Sequence, residues 1–246
     1  MSIVRRTTIV ALSAVSVAAV VTAGASDAAA AGSHHLLQAP NHRISNSTSG
    51  NWSGYAVTGG RYSTVTSNWV QPAVKCTGTA YSSFWVGIDG DTSGTVEQTG
   101  TEADCNGSTP VYSAWYEMYP KFPTNYPNPV VPGDHFTGTV STDGKGNFTL
   151  TLSNTTRGWK QTVTKKLRSA QLASAEVIAE APSSSGGVLP LANFGTVGFS
   201  GATVNGATLT SGTPGIDAIT MQSGSTVKAQ PSSISSGSFS VTWKHA

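Results

Sequence analysis

"FTGTVSTDGKGNFTLTLSNTTRGWKQTVTKKL", residues 136–167, is the stretch from which the fold class can be read. Two runs in which Thr and Ser alternate with Val, Phe and Leu, at Phe136–Thr142 and Asn147–Ser153, flank Asp143-Gly144-Lys145-Gly146. A two-residue period of apolar and polar side chains marks a half-buried strand, and Asp with Gly between two such runs marks a turn, so the stretch predicts a hairpin. A third strand at Trp159–Lys166 extends it to a meander. The same texture runs through the chain after Gly50: short segments of Val, Thr, Tyr, Phe and Trp, separated by Gly, Pro, Asn and Asp. That is the signal of an all-β sandwich or barrel. Helix is expected to be scarce, because no segment holds a helical period between caps, and "SAQLAS" at 169–174 makes one turn at most.

The N-terminus reads differently. Arg5 and Arg6 precede an apolar run from Ile9 to Val21, and small residues follow, with cleavage sites offered by Ala23-Gly24-Ala25 and by Ala28–Ala31. This is the pattern of an export signal over residues 1–31; the arginine pair leaves a twin-arginine route open. The apolar run is short for a membrane span and no second one follows, so the mature protein is expected to be secreted and free of the membrane. Residues 32–48 are polar and irregular and carry His34, His35 and His42, which suggests a short propeptide or flexible arm. The functional domain is then 49–246, about 200 residues, a length that suits one large β domain.

Charged residues make up 11% of the chain and the formal charge is +2, which argues against nucleic acid as a partner, since phosphate binding needs clustered cations. Arg157, Lys160, Lys165, Lys166 and Arg168 form the one dense basic run, expected to be a solvated face of the meander. Cys76 and Cys105 are the two cysteines, and in an oxidising compartment they are expected to pair. Two cysteines do not build a structural zinc site, and no histidine stands at ligand spacing to them, so no metal or cofactor is called for.

There is no Gly-x-Ser-x-Gly elbow, no His-Glu-x-x-His pair and no phosphate loop. A serine triad would have to use His135, whose surroundings, "VPGDHFTG", suggest an exposed residue entering a strand. Acids, amides and aromatics remain. In "SAEVIAEAP", Ser174–Pro182, Ala175, Val177, Ala179 and Ala181 alternate with Glu176, Ile178 and Glu180, which predicts a strand with one small apolar face and one carboxylate face. On the residues alone that carboxylate face is expected in solvent. In "SAWYEMYP" Trp115, Glu117 and Tyr119 share one face, and aromatic planes beside a carboxylate suit either a sugar groove or a peptide groove.

"NWSGYAV" from Asn51, "WVGIDGD" from Trp85, "QTG" from Gln98, "AWYEMYP" from Ala114, "AEVIAEA" from Ala175 and "LANFGTVGFSGATV" from Leu191, taken together, resemble the eqolisins, the glutamic peptidases. The six motifs stand in the family's order and cover nearly all of the chain after residue 50. The resemblance implies a sandwich of two large antiparallel sheets of the legume-lectin (concanavalin-like) type, with a substrate groove on the concave face. It also implies a catalytic pair of Gln98 and Glu176. Trp52, Trp85, Asp89, Trp115 and Glu117 match motif positions that border the groove or hold the pair, and Glu102 falls near an acidic position after the glutamine motif. Glu97 stands where fungal members carry an apolar residue; strand alternation turns it to the face opposite Gln98, and it is expected to stay out of the chemistry. The Cys76 and Cys105 pair differs from the family's familiar fungal bridges.

These residue types suit hydrolysis without metal or covalent intermediate. A carboxylate takes a proton from water and returns it to the leaving amine. An amide is uncharged at every working pH and offers both a donor and an acceptor. The expected function is therefore a secreted acid endopeptidase, monomeric, acting on polypeptides. A noncatalytic lectin-like module binding glycans or peptides, and a glycoside hydrolase using Glu117 and Glu176, are the alternatives that the fold type admits.

Overall fold

A computed structural model describes residues 43–45 and 48–246 of the chain. The export signal expected over 1–31 lies outside the described residues, and so does most of the arm expected over 32–48. Among the described residues there are nineteen strands and no helix.

The predicted meander is present: β9 (His135–Thr142), β10 (Asn147–Asn154) and β11 (Trp159–Lys166) pair antiparallel in sequence order. Its cause is visible in β10, where Phe148, Leu150 and Leu152 turn inward with no exposed surface while the threonines between them face out. At the turn, Asp143 Oδ1 accepts from the Lys145 and Asn147 amides (2.7 and 3.1 Å), and Gly144 and Gly146 take φ of 73° and 90°, values that a side chain would strain. β11 is an edge strand. Lys160, Lys165 and Lys166 stand exposed along it, as expected of a solvated face, and such charges deter pairing with another chain.

The remaining strands are β1 (Arg43–Ser45), β2 (Thr48–Ser49), β3 (Trp52–Thr58), β4 (Thr64–Val70), β5 (Ser83–Ile88), β6 (Val96–Asn106), β7 (Thr109–Tyr119) and β8 (Thr124–Asn125) before the meander. After it come β12 (Ser174–Glu180), the small hairpin of β13 (Ser183–Ser184) and β14 (Gly187–Val188), β15 (Thr196–Val204), β16 (Ala207–Thr208), β17 (Ile216–Ser223), β18 (Thr226–Pro231) and β19 (Phe239–Trp243). One sheet has the order β11-β10-β9-β4-β15-β19-β18-β17, with β2 and β1 added beyond β17. The other has the order β17-β3-β12-β5-β6-β7-β8. β17 belongs to both: Ile216–Ile219 pair with β3, while Met221–Ser223 pair with β18. All these pairings are antiparallel except that of β17 with β2.

Between the sheets lies the main core. Trp69, Phe136, Phe148, Leu150, Phe199 and Val241 come from the first sheet, and Phe84, Val86, Ile88, Val177 and Ala179 from the second. Trp69 Nε1 donates to Thr101 Oγ1 across the interface at 2.9 Å. Cys76 and Cys105 form a disulfide. A second, smaller apolar cluster of Trp52, Ala56, Trp85, Val96, Trp115, Ile178 and Ile219 covers the opposite face of the second sheet. The alternation read in the sequence therefore sorts two apolar populations onto two faces, and the second carries the candidate site.

Candidate active site

β12 is a central strand, flanked by β3 on one side and β5 on the other. Register then fixes a row of residues across the second sheet. Glu176 stands opposite Ala56 and Gly87, Gly87 opposite Gln98, and Gln98 opposite Glu117. Residues paired across a sheet project to the same face, so Glu176, Gln98 and Glu117 share one, with small residues on both sides of Glu176. Glu176 and Gln98 are two strands apart, about 10 Å between backbones, a span that two long side chains reach across. Gly87 keeps that span clear: a Cβ there would meet the Trp85 ring at 2.8 Å and Gln98 Cβ at 3.2 Å.

The two parallel rows on the same face are aromatic and acidic. Ile178, Trp85, Gly100 and Trp115 form one; Trp52, Glu180, Ser83, Glu102 and Ser113 form the other. Trp52 and Trp85 meet edge to face with centroids 5.1 Å apart. The expectation of a solvent-exposed carboxylate face on β12 is overturned: Glu176 and Glu180 are both fully buried. The reason is position, since a central strand with an aromatic cluster over its outer face leaves neither side to water.

Gln98 Nε2 donates to Glu117 Oε2 at 2.6 Å, which orients the amide, while no donor reaches Gln98 Oε1. Neither Glu176 oxygen makes a hydrogen bond of good geometry within the protein, although the Ser174 hydroxyl stands near. Burial pushes the Glu176 carboxyl well above the ordinary glutamate range; the nearby Ser174 hydroxyl opposes the shift, and the charges of Asp91, Asp89 and Glu97 add to it. Three buried acceptor oxygens, Gln98 Oε1 and both of Glu176, thus stand in one row without a protein hydrogen-bond partner, which suits the row to a molecule that brings N–H or O–H groups.

The other sequence-expected residues fall around this row. Trp52, Trp85 and Trp115 lie on the same face and build its apolar floor. Glu102, half-buried, accepts from Ser113 Oγ at 2.7 Å, and burial raises its carboxyl. Asp89 does not present its carboxylate to the row. It accepts from the backbone amides of Gln171 and Leu172 at Oδ2 (2.9 Å each) and of Ala173 at Oδ1 (2.7 Å), so it holds the segment that enters β12. Glu117 and Glu176, the carboxylate pair of the glycosidase alternative, have Gly87 and Gln98 between them and backbones about 14 Å apart, a poor start for a pair that acts across one bond. Sequence analysis put Glu180 on the carboxylate face of β12 but not among the site residues; its Oε2 accepts from Trp85 Nε1 (2.7 Å) and its Oε1 accepts from Asn51 Nδ2 (3.0 Å). Burial raises its carboxyl to about 8 against these donors. Its signal was its place four residues after Glu176 on the same strand face.

Comparisons with known proteins bear on the family and the fold. The model of the peptidase A4 family matches residues 50–243. Aspergillopepsin-2 of Aspergillus niger is 30% identical over 181 residues, 63% of this chain and 64% of that protein. Scytalidopepsin B of Scytalidium lignicola is 33% identical over 112 residues, 45% of this chain and 42% of that protein. The chain thus spans less than two thirds of the length of either relative. Among solved structures, scytalido-glutamic peptidase with a peptide-based transition state analogue superposes with a TM-score of 0.70 at 25% identity, covering 79% of this chain and 98% of that one.

Proposed function

The chain belongs to the peptidase A4 family, the eqolisins or glutamic peptidases, and from that premise we propose that it is an exported endopeptidase in which Gln98 and Glu176 hold and activate the attacking water. The observation that carries the reading is the row itself: buried, donor-free oxygens of Gln98 and Glu176 flank Gly87 on one face, and Glu117 fixes the amide.

The proposed reaction is a direct displacement. Water donates one hydrogen to the Glu176 carboxylate and the other to Gln98 Oε1, and its lone pair attacks the peptide carbonyl carbon. Glu176 takes the first proton as the C–O bond forms. Gln98 Nε2 has a second N–H besides the one given to Glu117, and it donates to the carbonyl oxygen as that oxygen gains negative charge. Glu176 then returns its proton to the leaving nitrogen as the C–N bond breaks, which restores the starting carboxylate. In the free protein burial favours the neutral acid; water and the substrate's amide groups bring donors to both Glu176 oxygens and favour the charged base.

The test is incubation of purified, folded protein and of Glu176→Gln with a denatured protein over pH 2–7, with fragments read by mass spectrometry. Cleavage by the parent on the acid side of neutrality, insensitive to chelators and to serine and cysteine reagents and absent in Glu176→Gln, is the expected result. No parent cleavage at any of these pH values, or inhibition by a chelator, overturns the proposal.

A further inference from the structure

Directly behind the row lies a second pair of carboxyls. Glu97, one residue before Gln98, points to the other face of β6, opposite Ile88 of β5 and Met118 of β7. It is fully buried, and no donor reaches either of its carboxyl oxygens. Its polar neighbours are the Asp89 carboxyl and the Thr95 hydroxyl, and that hydroxyl is directed at Asp89 Oδ2 (3.4 Å). Glu176 of β12 lies within electrostatic reach of the Glu97 carboxyl, and of those of Asp91 and Asp89. Among the described residues, the titratable group that acts most directly on Glu97 is thus another carboxyl, Asp89.

Asp89 itself is under constraint. It adopts φ of 68°, an uncommon conformation for a residue with a side chain, and Leu172 in the segment it grips adopts 58°. The Asp89 amide donates to Ser174 O at 2.9 Å, so backbone and side chain together staple residues 171–174 to the end of β5. Three backbone amides donate to Asp89, so both of its carboxyl oxygens are engaged as acceptors. A second buried carboxylate beside it has no compensation and keeps its proton.

We propose that Glu97 is a proton-carrying positioning residue: its carboxylic acid donates a hydrogen bond to the Asp89 carboxylate and so secures the 171–174 staple, and loss of that proton sets two buried charges against each other and loosens the entry to the strand that bears Glu176. The inference rests on the proposed function only for what the staple serves. Burial, and next the Asp89 charge, lift Glu97 from its ordinary value of 4.5 to about 9. A carboxyl raised on folding contributes stability that is complete below about pH 4.5 and is lost as pH rises through its folded value.

The experiment is alkaline unfolding followed by circular dichroism, with parent and Glu97→Gln compared from pH 5 to 11. The amide keeps a donor for Asp89 and cannot ionise, so the pH of half-unfolding should rise by about one unit or more. An unchanged pH dependence, including a uniform loss of stability at every pH, overturns the proposal. Should Glu97→Gln fail to fold, the 13C-carboxyl resonance of Glu97 in the parent decides: a midpoint above pH 7 supports the assignment and one below pH 7 overturns it. Neither readout involves peptide hydrolysis, so this proposal and the proposed function fail separately.

Discussion

Glu176 is buried without a donor, and Gln98 is anchored at one end by Glu117 and open at the other. This asymmetry has a kinetic signature. Burial holds the free Glu176 acid above its usual range, so the acid limb of kcat/KM, which reports the free protein, should lie at higher pH than that of an ordinary glutamate. Bound substrate adds donors, so the acid limb of kcat should lie lower than that of kcat/KM. Steady-state rates from pH 2 to 8 on one peptide check both; coincident limbs would mean that substrate does not reach Glu176. At this scale the sequence placed residues on strand faces and was poor about their environment. The six motifs led to Gln98 and Glu176, and alternation put Glu97 on the other face. Glu180 and the role of Asp89 depend on contacts with Trp85, Asn51 and residues 171–173, which lie far away in sequence and leave no local pattern.

Strands place the site through register, and register gives weight to residues that carry no chemistry. Gly87 separates Glu176 from Gln98, so Gly87→Ala sets a methyl group against the Trp85 ring and Gln98 Cβ. Overpacking of this kind costs about 1–3 kcal/mol, and here the group that has to move is the Gln98 side chain or the Trp85 ring. The expected outcome is a loss of kcat/KM on the order of tenfold or more with the fold retained, measured beside a thermal melt. Unchanged kinetics would show that the space above Gly87 is not used. The strands themselves were legible because β9, β10 and β11 alternate cleanly and Asp143 with two glycines marks the turn. The outer face of β12 was misread for a physical reason: alternation separates two faces but does not say which is covered. β12 lies between β3 and β5 under Trp52, Trp85 and Trp115, and those partners come from sequence positions roughly 60–125 residues away, so its carboxylates are buried.

Several buried carboxyls of the described domain are shifted upward together. Glu97 and Glu180 are raised to about 9 and about 8, each chiefly by burial, and Glu176 and Glu102 are shifted in the same direction. A carboxyl raised on folding binds its proton more tightly in the folded state than in the unfolded one, so folding stability should be highest below about pH 4.5 and fall towards pH 9. Thermal midpoints at pH 4, 6 and 8 should decrease in that order; a midpoint that rises with pH would mean that these acids are ionised in the fold. The sandwich class was readable from period and composition, whereas β17, which joins the two sheets, was not, because its halves pair with β3 and β18 on different sheets. In the proposed function Glu176 is the proton-transfer group for hydrolysis of peptide bonds. The most direct measurement is kcat/KM for peptide cleavage by Glu176→Gln, taken at the pH optimum of the parent and with a melt to confirm folding. The account predicts a loss of roughly 100- to 10,000-fold; a folded variant that retains a tenth of the parent's activity or more would contradict it.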